Sequence, residues 1–117
     1  MPVAGPVGMG SAALAAELGT DALKIIGVDA DQTKLDPANA DVYLTSVLKR
    51  MDKTVMQLIK QTMDGKFEGG MMVGTTANEG VGLAPYGSFD SAIPAALKAE
   101  VEAIRTGIID GSINVGG

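Results

Sequence analysis

Three stretches of this 117-residue chain hold residues whose types and spacing could do chemistry. In "VAGPVGMGSAA", Gly8, Gly10 and Ala13 fit G-x-G-x-x-A. In that fingerprint small residues let the backbone approach a pyrophosphate at an electropositive helix start. In "GVDADQ", Asp29 and Asp31 close an apolar run. Asp29 lies about 20 residues beyond the glycines, where the fingerprint places its ribose-binding acid. In "LTSVLKR", Lys49 and Arg50 close a second, β-rich run. A carboxylate can accept two hydrogen bonds from a sugar diol, and a lysine can donate to a hydroxyl or ring atom.

Each stretch also has a plainer reading. The small residues can simply pack a helix on a strand. Asp29 and Asp31 can form a turn by bonding their own downstream backbone. Lys49 and Arg50 can be a solvated pair. The relation between Asp29 and Lys49 matters more than either residue. Both follow strands expected to be neighbours, so both could face the crevice where open α/β sheets bind ligands. The dinucleotide alternative is strained by its first strand. That strand is a stub at residues 1–5, and the stretch from Gly5 to Gly8 separates it from the glycine pair, where a tight turn is needed.

The elements that must position these residues follow from the pattern. After the stub, residues 10–18 read as an Ala/Leu-rich helix with Ser11 near its N-cap and Gly19 just past its end. "ALKIIGVDA" contains a short buried strand. "DQTKLDPANAD" is polar, contains Pro37 and reads as a loop. Residues 42–47 read as a strand, and 52–64 as a helix, with Met51, Val55, Leu58, Ile59 and Met63 recurring at three and four residues so that one face is apolar. "MMVGTTANEGVGLAPYG" suggests two short strands around "TANEG", with Tyr86 as a loop anchor. Pro94 opens a last helix bearing Leu97, Val101, Ile104 and Ile108, and "SINVGG" could add a strand. The Met residues read as aliphatic filler. The order is that of an α/β domain with a mostly parallel sheet flanked by helices, a single unit over residues 1–117.

Composition narrows the function classes. Hydrophobic residues make up 46% and aromatics 3%, with no Trp, so the core must be aliphatic. Nine basic against fourteen acidic residues give a net charge of −5, which argues against a nucleic-acid partner. Without Cys or His, a cysteine nucleophile, a hydrolytic triad or a histidine metal site cannot be built from this chain. No paired carboxylates on one helix face suggest acid–base work. The expectation is no catalysis, no metal and no cofactor. No apolar run reaches the roughly 18–20 residues of a membrane span, and the start has no signal-peptide pattern.

Five segments in order, "VAGPVGMG", "IIGVDADQ", "LTSVLKRMD", "DGKFEGG" and "GVGLAPYG", resemble the carboxyl-terminal part of the basic membrane protein family. "IPAALKAEVEAIRTGIIDGSINV" is similar to that family's terminal helix. These are bacterial substrate-binding lipoproteins of ABC transporters, among them purine nucleoside receptors. The resemblance implies one lobe, the carboxyl-terminal one, of a type I periplasmic-binding-protein-like fold. It implies a purine nucleoside bound between two lobes and permease subunits as partners. It implies a place in the cell envelope, periplasmic or lipid-anchored at the outer face of the cell membrane. It assigns Gly5 to the glycine beside the nucleoside, Asp29 to the ribose-binding aspartate and Lys49 to the lysine at the ligand. The family's first lobe, its lipid-attachment cysteine and the aromatics that sandwich the base have no counterpart here. The chain is therefore expected to be a fragment or a truncated product, and its exposed cleft face could pair with a second copy.

Overall fold

Two β-rich runs organise the chain. Ile25–Asp29 forms β1 and Tyr43–Lys49 forms β2. They pair in parallel, with Gly27 opposite Ser46 and Asp29 opposite Leu48. A third strand, β3 (Val81–Leu83), lies on the other side of β2 and runs antiparallel to it, Lys49 opposite Val81 and Val47 opposite Leu83. The sheet order is β1-β2-β3. This computed structural model describes residues 7–115. The expected mostly parallel sheet is thus a mixed one. Chain entering β3 at Val81 starts beside the end of β2, so it can only run back along it.

Four α-helices accompany the sheet among the described residues: α1 (Val7–Leu18), α2 (Gln32–Leu35), α3 (Met51–Met63) and α4 (Ala95–Asp110). Helix α1 begins earlier than the sequence suggests, so Gly8 and Gly10 are helical residues of its first turn and Ser11 lies beyond the N-cap position expected for it. Gly19 (φ 89°) and Gly111 (φ 81°) follow α1 and α4 in the left-handed region that ends helices. The polar stretch after β1 is no plain loop. It carries α2, capped by Asp31, and a 3-10 helix at Pro37–Val42 whose proline sits in the first turn.

Only one of the two strands expected around "TANEG" forms among the described residues. The side chain of Asn78 takes over the backbone groups that a second strand would pair. Its Oδ1 accepts from Thr75 N at 2.8 Å and Gly80 N at 3.0 Å, and its Nδ2 donates to the Val73 carbonyl at 2.8 Å. Among the described residues the tail forms no strand either, because Ile113 N donates to the Gly107 carbonyl at 2.8 Å and folds it back on α4. The stub at residues 1–5, with Gly5, lies outside the described residues.

The core is small: Ala12 and Ala15 of α1 against Ile25, Val42 and Tyr43. The Tyr43 hydroxyl donates to Asp36 Oδ2 at 3.1 Å, and Asn39 Nδ2 donates to both Asp36 oxygens, so the buried carboxylate is satisfied. Burial, reinforced by Asp36, pushes the Tyr43 phenol up to about 12. Thr45 Oγ1 donates to the Ala84 carbonyl at 2.7 Å and ties the chain after β3 to β2.

Helices α3 and α4 have the apolar faces their periodicity predicts, but most of each face is bare. Met51, Val55, Ile59 and Met63 are exposed on α3, as are Leu97 and Ile104 on α4. The accessible surface is 8007 Å², against roughly 5,900 Å² for a compact monomer of this mass. The radius of gyration is 16.7 Å, against about 13 Å for a compact domain of this length.

Candidate ligand site

The parallel pairing of β1 and β2 brings their carboxyl ends side by side, with Asp29 the last residue of one and Lys49 the last of the other. Lys49 Nζ lies 2.7 Å from Asp29 Oδ1. The lysine side chain is 62% exposed and the aspartate 38%, so the pair faces solvent at the carboxyl ends of the strands, the edge where open α/β sheets in general bind ligands. Asp29 Oδ1 itself is closed off from solvent. It meets Lys49 as an ion-pair contact, without the alignment of a hydrogen bond. A hydroxyl brought to this edge would find an acceptor and a donor already in contact.

Asp29 reaches this position through an unusual backbone. Its φ is 77°, a region that L-residues rarely adopt, although Asp tolerates it better than most. The turn that follows is held from both ends. Gln32 Nε2 donates to the Val28 carbonyl at 2.9 Å, and Gln32 N donates to Ser46 Oγ at 3.1 Å. Ser46 is fully buried in β2. Gly27 opposite it makes room for this meeting, since a Cβ there would stand 2.5 Å from Ser46 Oγ and run into Gln32. Sequence reasoning passed over Gln32 and Ser46. The available signal was Gly27, a glycine inside a buried strand, which marks close approach.

The other candidates separate from the pair. Asp31 is a capping residue: Thr33 N and Thr33 Oγ1 donate to its Oδ1 at 3.2 and 2.6 Å. The Thr33 hydroxyl holds the Asp31 carboxyl below its ordinary value. Arg50 is engaged by Asp52, with Nε to Oδ1 at 2.9 Å and Nη2 to Oδ2 at 2.7 Å. That pairing brings the Asp52 carboxyl down to about 2. Gly8 and Gly10 lie within α1, so the backbone loop that a pyrophosphate needs is not formed by them. Tyr86 is a loop residue whose ring lies 5.9 Å from Lys98 Nζ. Gly5 lies outside the described residues.

A groove of about 750 Å³ opens elsewhere, between α4 and the β2–β3 ribbon. Val47, Leu83, Val101 and Ile108 line it, with Glu102 and Arg105 at its margin. Neither Asp29 nor Lys49 reaches it. Glu102 and Arg105 pair with each other at 2.9 Å. Among the described residues no cluster suited to a metal ion occurs, and no helix is long and apolar enough to cross a membrane.

No family model matches the chain. Its sequence is 35% identical over 102 residues to the ABC transporter nucleoside-binding protein BmpA of Lactococcus lactis subsp. cremoris (strain MG1363), an alignment covering 81% of this chain and 28% of that protein. The similarity is to a nucleoside-binding protein. Among solved structures, a transcriptional activator of the comK gene from Bacillus halodurans superposes with a TM-score of 0.65 at 20% identity, covering 80% of this chain and 31% of that one. At that identity the likeness concerns the fold alone. The chain spans under a third of the length of either protein. The architecture is that of a small α/β unit, a three-stranded mixed sheet flanked by helices.

Proposed function

We propose that this chain is the carboxyl-terminal lobe of a type I periplasmic-binding-protein-like fold and contributes half of a nucleoside site in an ABC transporter. The observation that carries the reading is the Asp29–Lys49 contact, 2.7 Å long, at the carboxyl ends of two parallel strands. A ribose diol can donate to the carboxylate and accept from the ammonium, and the similarity to a nucleoside-binding protein supports the same ligand class. In this reading Asp29 accepts from the ribose hydroxyls, Lys49 donates beside it, and Gly5 lets the ligand approach the backbone. The ligand is a purine nucleoside. The partners are a first lobe and the permease subunits, and the setting is the cell envelope. The role is binding, with no catalysis and no cofactor.

The experiment is a calorimetric titration of the chain with inosine, adenine and NAD. With half the cleft present, inosine should bind weakly, with a Kd on the order of a millimolar. Adenine, lacking the sugar, should bind more weakly still, and NAD no better than inosine. Tight NAD binding without a response to inosine would replace the transport reading with a dinucleotide one.

A further inference from the structure

We propose that Gln32 and Ser46 are positioning residues for Asp29, a clamp that aims its carboxylate at Lys49 and at the ligand beyond it. The ligand part of this inference rests on the nucleoside reading; the backbone part does not. The chain leaves β1 at Asp29 with φ at 77° and must turn at once into α2. Asp31 caps α2 by its own side chain, with bonds local to the turn that tie it to neither strand. Gln32 supplies those ties. Its side chain reaches back to the Val28 carbonyl, and its backbone N–H is tied to the hydroxyl of Ser46 in the neighbouring strand.

The residue between these bonds, Asp29, is therefore fixed relative to β2, the strand that ends in Lys49. The clamp is closely fitted. Ser46 is fully buried, and Gly27 leaves no space for a side chain beneath it. A positive φ on a residue with a side chain persists only where its surroundings over-determine it. Two hydrogen bonds on either side of Asp29, both from one glutamine, supply that determination. Lys49 then finds Asp29 Oδ1 at 2.7 Å although neither side chain is packed in the core.

The test combines carbon-13 NMR of the 117-residue chain with an inosine titration. The Asp29 Cα and Cβ shifts and its HN–Hα coupling report the sign of φ. In Gln32→Met and in Ser46→Ala, Asp29 should leave the positive-φ region while the signals of Ala12, Ala15, Val42 and Tyr43 keep their positions. Inosine affinity should fall roughly tenfold in each, the size of one lost hydrogen bond. Lower melting temperatures with unchanged Asp29 signals would overturn the clamp and leave Gln32 and Ser46 a merely structural role. Unchanged inosine affinity in a variant whose Asp29 has moved would overturn the positioning role. If the unaltered chain binds no inosine, the nucleoside reading fails, and the Asp29 signals of the two variants still decide the clamp.

Discussion

Lys49 Nζ and Asp29 Oδ1 stand 2.7 Å apart, joined across the ends of two parallel strands rather than along one element. Although Asp29 Oδ1 is itself closed off, both side chains are partly exposed, which determines what the pair can contribute. An exposed ion pair adds about 0–1 kcal/mol to stability. Lys49→Met should therefore change the melting transition little, and 0.5 M salt should shrink even that change. Calorimetric melting at two salt concentrations measures both.

Ligand binding should respond far more than stability. Charge-assisted hydrogen bonds contribute on the order of 1.5–3 kcal/mol. Asp29→Ala in a two-lobed protein carrying this lobe should weaken nucleoside binding about 10–100-fold, and free-base binding hardly at all. Parallel titrations with inosine and adenine check this. An unchanged inosine affinity would remove Asp29 from the site.

Tyr43 links stability to alkaline pH. Its phenol is raised from 10.0 to about 12 in the folded chain, so the neutral form is the one the fold favours. The resulting stability is fully present below pH 10, and it is lost as pH rises from 10 towards about 12. The Tyr86→Phe variant isolates the Tyr43 signal, and its ultraviolet titration should show the high step coinciding with loss of structure. Tyr43→Phe should cost about 1 kcal/mol, because Asn39 continues to serve Asp36.

Asp31 links stability to acid. Its carboxyl lies below the ordinary 3.8, mainly through the Thr33 hydroxyl. The cap is fully stabilising above that value and is lost as pH falls through the lower folded-state value. Asp31→Ala should cost about 1 kcal/mol and should flatten the acid limb of the stability curve. Thr33→Ala should move the Asp31 carboxyl back towards 3.8, which carboxyl carbon-13 titration reads directly.

The bare face of α3 should make the isolated chain self-associate. Met51, Val55, Ile59 and Met63 form one exposed apolar stripe. The surface in excess of a compact monomer is roughly 2,000 Å², more than the about 800 Å² per partner that a stable interface needs. Sedimentation should show mass increasing with concentration, and Ile59→Lys should shift the chain towards monomer. A monomer at every concentration in both would remove this prediction.

The positions of α3 and α4, the helix stops and the place of Asp29 and Lys49 at strand ends were legible in the sequence, because each depends on local order. Periodicity placed α3 and α4 within a residue or two, and glycine punctuation marked their ends. The dinucleotide fingerprint departs for a local reason too: Gly8 and Gly10 are helical residues of α1. Other features depended on partners distant in sequence. That β3 runs antiparallel was decided by where the chain after α3 meets β2. That the residues before Gly80 form no strand was decided by Asn78 bonding the groups a strand would use. The contact between Asp29 and Lys49 needed the strand register, and the φ of Asp29 needed Gln32, Ser46 and an empty Gly27 in one place. Apolar periodicity announces that a helix face must be covered. Only the tertiary structure shows that in this chain the faces of α3 and α4 are largely left open, because covering a face takes a second surface, and periodicity within one helix does not specify it.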